Sequence, residues 1–218
     1  MRAGRRHASG DHRALIAGTL RRGPRMTAAE RRQAVLDTAS AVFAKSSYRG
    51  ATTAEIARAA GITEPILYRH FGSKRDLYLA CLDQAWQHFR AVGEEAAAKN
   101  PAGCLGAVAD VYMKPNAKAR IRLVDLWIQA LNEASDDHVI AKALRKQIRE
   151  VHDFFGDLIR QSQAAGHVHE DRDPEAEAWL FIAGGLLATI DHRLGGLLGN
   201  DLERVRASRR AWMQNEAN

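Results

Sequence analysis

The sequence predicts an all-α protein of about nine helices, a three-helix N-terminal unit joined to a larger helical body. Three observations carry this. Apolar residues recur every three or four positions from Val35 to Met213. No segment alternates with the two-residue period of a strand. Thr27 with Glu30, Thr52 with Glu55 and Ser73 with Asp76 repeat the Ser/Thr-x-x-acid pattern that opens a helix.

Residues 1–25 contain seven arginines, one acid and little to bury, which reads as a mostly disordered basic arm. Its two readings are a contact arm and an extension ahead of a start at Met26-Thr27. The first unit covers residues 26–73. Thr27 opens its first helix, whose inner face is Val35, Leu36, Ala39, Val42 and Phe43. A short helix starting at Thr52 follows, with Ile56, Ala57 and Ala60 on one face. Gly61 supplies the turn, because glycine tolerates a positive φ. Ile62 fills the corner, and Thr63 is expected to cap the next helix through its hydroxyl. Pro65 falls in that helix's first turn, where no intrahelical donor is lost. Leu67 and Phe71 point inward, leaving Glu64, Pro65, Tyr68, Arg69 and His70 outward.

The body, residues 74–218, opens with a helix from Ser73 to about Lys99, stopped by Asn100-Pro101, with inner residues Leu77, Cys81, Ala85, Trp86, Phe89 and Val92. Cys104, Leu105, Val108, Val111 and Tyr112 mark the next helix. Val124, Trp127, Ile128 and Leu131 mark one over about Ala117–Ala134. Ser135 is expected to cap a long helix to Gly166, with stripe Ile140, Leu144, Ile148, Val151, Phe155 and Leu158. Asp173-Pro174 start a helix to about Leu194, and Asn200-Asp201 start the last, ending near Met213. Gly184-Gly185 lie mid-helix, where each glycine costs about 1 kcal/mol relative to alanine, so a closely approaching helix is expected there.

Two short helices around a glycine turn, behind a support helix, are the layout of a DNA-reading helix-turn-helix. With the residues Ala39, Phe43, Tyr48, Thr52, Thr53, Ile56, Ala57, Ala60, Gly61, Ile62, Leu67, Tyr68, His70, Phe71, Ser73, Lys74, Leu77 and Leu82, the stretch from Ala28 to Asp83 resembles the tetracycline-repressor family of transcription regulators. It departs at Ser47, where the family often has glycine, and at Ile66, where many members have a small residue. On these side chains, Thr52 or Thr53 at a helix N-terminus would hold a phosphate. Tyr68 and Lys74 would touch the backbone on either side of the groove. Thr63, Glu64, Pro65 and Arg69 are placed for base edges, with a phosphate contact as the other reading of Arg69. His70 reads either as a phosphate contact or as an aromatic packed against the next helix.

The resemblance also implies a homodimer through the last two helices, which suits Leu180, Gly184, Leu187, Ala188 and Leu194. The other reading of that face is close packing within one chain. It further implies a ligand pocket among the body helices, where Trp86, Phe89, Tyr112, Trp127, His152, Phe155 and Trp179 gather, with His152 and Gln129 as polar contacts. Each of these residues also reads as plain core. A mostly apolar pocket takes an apolar or amphipathic small-molecule effector. Partners are then palindromic double-stranded DNA, the effector and a second copy.

Charge agrees with this division. Residues 1–75 carry 15 Lys and Arg against 5 Asp and Glu, whereas residues 76–218 carry 17 against 21. A basic front and an acidic rear fit a nucleic-acid face joined to a non-binding body. Cys81 and Cys104 lack metal-type spacing and suit a reduced, cytoplasmic protein. The longest uncharged run, Ala178 to Ile190, has 13 residues, against roughly 20 for a membrane span. His167, His169, Glu170 and Asp171 read as a solvated connection, not a metal site. No nucleophile elbow, phosphate loop or zinc-protease motif is present, so neither an enzyme nor a cofactor is expected. The expected function is a repressor released from its operator by the effector. An architectural DNA-binding protein without effector control is the alternative.

Overall fold

The computed structural model describes residues 27–114 and 117–214, the side chains of Arg120 and Ile121 excepted. The basic arm of residues 1–25 lies outside the described residues. Among those described, nine helices form in this order: α1 (Ala28–Lys45), α2 (Thr53–Ala59), α3 (Glu64–His70), α4 (Lys74–Lys99), α5 (Cys104–Tyr112), α6 (Lys118–Glu133), α7 (His138–Ala164), α8 (Pro174–Arg193) and α9 (Asp201–Gln214).

The helix starts follow the local chemistry. The Thr27 hydroxyl accepts the Glu30 amide at 3.2 Å, and the Glu30 carboxylate accepts the Thr27 amide at 2.7 Å. Thr52 and Glu55 repeat the exchange at 3.1 and 3.4 Å. Ser73 accepts the Asp76 amide at 3.0 Å and donates to the Asp76 carboxylate at 2.8 Å, a one-way cap. Two expectations fail. Thr63 makes no side-chain cap bond to α3. The cap of α7 is Asp137 instead of Ser135, because its carboxylate accepts the amides of Val139 at 2.9 Å and Ile140 at 3.2 Å. An ionised carboxylate at a helix start also meets the positive end of the helix dipole.

The core runs without a break from Val35 in α1 to Met213 in α9. The central α4 packs against α1, α5, α6 and α7, and α7 packs against α8. The Tyr78 hydroxyl donates to the Leu126 carbonyl at 2.6 Å and so ties α4 to α6. Tyr112 stacks on Phe89 with ring centroids 3.9 Å apart and donates to the Phe89 carbonyl. Gly93 makes this approach possible, since a Cβ there would collide with the Tyr112 hydroxyl and stand 2.7 Å from the Phe154 ring. Gln147 is a buried polar side chain with both ends satisfied: it accepts from Trp127 Nε1 at 2.6 Å and donates to the Leu82 carbonyl at 2.8 Å.

Polar ties hold α9. Trp212 Nε1 donates to Glu177 at 3.1 Å, Arg206 donates to the Met113 carbonyl, and the Arg172 guanidinium lies 3.6 Å from the Trp212 ring centroid. No helix among the described residues is long and apolar enough to cross a membrane.

Candidate nucleic-acid interface

The α2–turn–α3 unit, the DNA reader expected from the sequence, is positioned from below by its anchors. Ile56, Ala57 and Leu67 are buried against Phe43 and Phe71, so α3 crosses α2 at a fixed place. Gly61 has φ +67°, the left-handed conformation that the turn requires. Pro65 occupies the first turn of α3.

On the outer side, Pro65, Tyr68 and Arg69 are exposed. Glu64 and Thr53 behave differently from expectation. The Thr53 hydroxyl is buried, lies 3.1 Å from the Tyr68 hydroxyl, and hydrogen-bonds the Glu64 carboxylate. This bond turns Glu64 inward across the α2–α3 seam, and Thr53 presents no free hydroxyl to a phosphate. Thr52 is exposed but shares its hydroxyl with the Glu55 cap. Thr63 is exposed and uncapped, so its hydroxyl is available to a ligand. The half-buried His70 ring lies 6.4 Å from that of Phe71.

Lys74, the first residue of α4, folds back over the Tyr48 ring at 4.8 Å, and its Nζ donates to the Arg49 carbonyl at 3.4 Å. Partial burial holds its pKa below the ordinary lysine value, with Glu133 opposing that shift. Arg49 and Arg75 flank it. Neither belonged to the expected contact set.

In the body, Phe89, Tyr112, Trp127 and Phe155 do come together. They line a cavity of about 20 Å³ completed by Val151, Phe181, Ile182 and Gly185. Such a space holds about one water molecule. The other four expected pocket residues lie elsewhere. Trp86 packs beside Phe89 at 5.9 Å without lining the cavity. Gln129 is half-buried on α6, away from it. His152 is buried beneath the exposed Trp179 ring at 4.5 Å, with Nε2 on the Glu175 carbonyl at 3.0 Å and Nδ1 3.2 Å from Asp153. A second, open cleft of about 480 Å³ lies between α6, α7 and α8 and is lined by Leu131, Leu144, Ile148, Arg145, Arg149 and Trp179. Leu131, expected in the core, is 53% exposed on its rim.

On α8 Leu180 is exposed, as is Leu194 at its C-terminal cap, and beyond the helix's own backbone no atom lies within 4 Å of where a Cβ on Gly184 would stand. Leu187 is half-buried. Ala188 is buried within the chain and leaves the expected interface. The helical period puts it on the inner face with Gly185 and Thr189. Among the described residues, no group of three metal-ligating side chains gathers.

Residues 35–81 match the model of the bacterial regulatory proteins of the tetR family. The chain is 48% identical over 68 residues to the transcriptional activator FasR of Mycolicibacterium smegmatis, a match spanning 31% of this chain and only 31% of that protein's length. It is 25% identical over 172 residues to the transcriptional repressor AcnR of Corynebacterium jeikeium, covering 77% of this chain and 85% of that one. A TetR transcriptional regulator from Chloroflexus aurantiacus superposes with a TM-score of 0.69 at 26% identity, over 84% of this chain and 94% of that one.

The segment 35–81 belongs to the tetR family of bacterial regulatory proteins. Its relatives are named as regulators, not enzymes. This tetR-family segment contains the whole turn from Thr52 to Lys74, so the geometry described above sits on the most recognisable part of the chain. What the sequence did not signal are the ties of that part to the rest: Glu64 to Thr53, and Arg49 and Arg75 to the turn between α6 and α7. The only sequence hint was the run of acids Glu133, Asp136 and Asp137.

Proposed function

We propose that this protein is a dimeric transcriptional repressor that holds a two-fold-symmetric DNA site through α3 and releases it when a small apolar or amphipathic effector enters the body. The observation that carries the reading is the outer side of α2–turn–α3, where Thr63, Pro65, Tyr68 and Arg69 are exposed over a buried seam. Arg69 can pair bidentately with a guanine edge, and Tyr68 offers a hydroxyl to the backbone. The net basic charge of the N-terminal part attracts the duplex.

The dimer reading rests on α8. Ala176, Leu180, Ala183, Leu187, Ile190 and Leu194 alternate at spacings of four and three, and all but the half-buried Leu187 are exposed. Such a seam matches the packing of helices at about +20°. Two copies would set two readers on successive major grooves, about 34–36 Å apart or somewhat more. The effector reading rests on the cluster of Phe89, Tyr112, Trp127, Phe155 and Phe181. The cavity is nearly filled, so ligand entry requires these rings to move, and that movement is available to shift α4 and with it the reader.

Binding to a duplex selected from a random pool tests the central claim. Affinity is expected to fall about 10³–10⁵-fold between 50 and 200 mM salt if 6–10 phosphates are neutralised. Tyr68→Phe is expected to weaken all sequences alike, and Arg69→Ala to weaken all alike or relax one base pair. A salt-independent titration, or selection of no symmetric sequence, rejects the reading.

A further inference from the structure

We infer that the acidic corner between α6 and α7 is a positioning element for the reader, acting on the DNA face through Arg49 and Arg75. The inference rests on the DNA-binding reading above.

Three carboxylates stand at this corner. Glu133, the last residue of α6, is 7% exposed and accepts from Arg49 Nε at 3.0 Å. Asp136 takes the same guanidinium through Nη2. Asp137, the cap of α7, accepts from Arg75 Nη1 at 3.1 Å. Desolvation pushes the Asp137 carboxyl up, but the bonds from Arg75, Ile140 and Val139 prevail and hold it below the ordinary value. The two arginines come from opposite sides of the reader. Arg49 lies in the connection before α2, and Arg75 in the first turn of α4. Between them sits Lys74, whose ammonium donates to the Arg49 carbonyl and covers Tyr48. Tyr48 packs on Tyr78, which is bonded to α6.

A buried acid at the end of one helix thus fixes the guanidinium of the residue whose carbonyl holds Lys74, the lysine expected at the DNA backbone. Surface ion pairs usually contribute little. Here Glu133 is buried, so leaving it without Arg49 exposes an uncompensated charge to low dielectric. That gives the joint one preferred geometry. Because the corner belongs to α6 and α7, which also carry Trp127, Val151 and Phe155 of the aromatic cavity, a shift of either helix moves the point on which the reader is seated.

The electrostatic sign makes this testable. Neutralising three acids near DNA would, by charge alone, strengthen binding to every duplex. Loss of positioning would instead weaken only the preferred one. The test is the triple variant Glu133→Gln, Asp136→Asn, Asp137→Asn in the full chain. Asparagine keeps the α7 cap. Fluorescence anisotropy on the selected duplex and on a scrambled one gives the specificity ratio. The ratio is expected to fall about 2- to 30-fold, with affinity for the scrambled duplex unchanged or higher. Both affinities rising together, or an unchanged ratio, overturns the inference. Hydrogen exchange without DNA separates its failure from that of the DNA reading. Faster exchange in residues 46–52 of the variant is expected. Unchanged exchange there overturns the inference whatever DNA does. Faster exchange, in a chain whose unmodified form prefers no duplex, leaves the joint standing and removes the DNA reading instead.

Discussion

In α3 one side chain, Leu67, is fully buried, whereas α7 buries Ile140, Leu144, Gln147, Val151, His152, Phe155, Leu158 and Ile159. The first helix has seven residues and the second 27. A seven-residue helix has no stability of its own in water. It persists because Leu67, the Gly61 turn and the shared cap chemistry of α2 all demand the same geometry. The long helix is held redundantly, and no single contact decides it. The difference teaches where each half is vulnerable, and also which half can be read from a sequence.

The largest effect should therefore come from Leu67→Ala. Removing a fully buried leucine costs about 2–5 kcal/mol. In the reader that loss is expected to release α3 as a unit, abolishing sequence-preferring DNA binding while circular dichroism changes little. Leu144→Ala carries a similar local cost, yet α7 should stay helical and DNA preference should survive. Hydrogen exchange resolves the two cases. Protected α3 amides in Leu67→Ala would break the contrast.

The next contrast uses one substitution for two physical reasons. Gly93→Ala drives a methyl toward the Phe154 ring and the Tyr112 hydroxyl, and overpacking of this kind costs about 1–3 kcal/mol. Gly61→Ala meets no atom within 4 Å but must hold φ +67°, which costs about 1–2 kcal/mol. The remedies differ accordingly. Phe154→Leu should recover part of the Gly93 loss. Gly61→Asn should cost less than Gly61→Ala, because asparagine tolerates the left-handed region. Thermal melts of the four variants check this, and equal losses for Asn and Ala at position 61 would rule out the backbone explanation.

Caps come third. Thr52→Ala removes one side of a reciprocal box and should cost about 1 kcal/mol. Thr63→Ala should leave stability unchanged, since its hydroxyl makes no cap bond, and should act only on DNA affinity. A Thr63→Ala chain that melts like Thr52→Ala would restore the cap that the sequence suggested.

These cases show what was legible and why. Helix starts are local: a hydroxyl and a carboxylate three residues apart suffice, so Thr27, Thr52 and the bounds of α4 could be read directly. Thr63 and Ser135 misled because the pattern lists candidates, and competition decides. Asp137 stands closer to the first free amides of α7 and carries a charge. The inward faces of the helices were legible from their period, as for Phe89, Tyr112, Trp127 and Phe155. Which inward residues share one cavity was not, because that depends on helix crossing. His152 and Trp179 lie on the same helices and meet each other instead. Long-range ion pairs such as Arg49 with Glu133 leave no periodic trace at all. Both cysteines are buried, and burial pushes the pKa of the Cys81 thiol up to about 12.

The smallest expected effect tests the interface on α8. Gly184 lies in the middle of the helix, and beyond the helix's own backbone nothing in its chain is within 4 Å of where a Cβ would stand. Within one chain, Gly184→Ala should thus remove only the entropic cost of glycine and stabilise by about 0.5–1 kcal/mol. If a second copy packs its own α8 against the seam of Leu180, Ala183, Leu187 and Ile190, the same methyl enters the contact and weakens the dimer. The two contributions separate with concentration. At micromolar protein, where a weakened dimer dissociates, the melting temperature of the variant should fall below that of the unmodified chain. At high concentration the two should converge or cross, because mass action restores the dimer and the helix gain remains. Sedimentation equilibrium gives the dissociation constant directly. A variant more stable at every concentration, with an unchanged dissociation constant, would place the dimer contact away from Gly184 and leave the seam on α8 without its proposed partner.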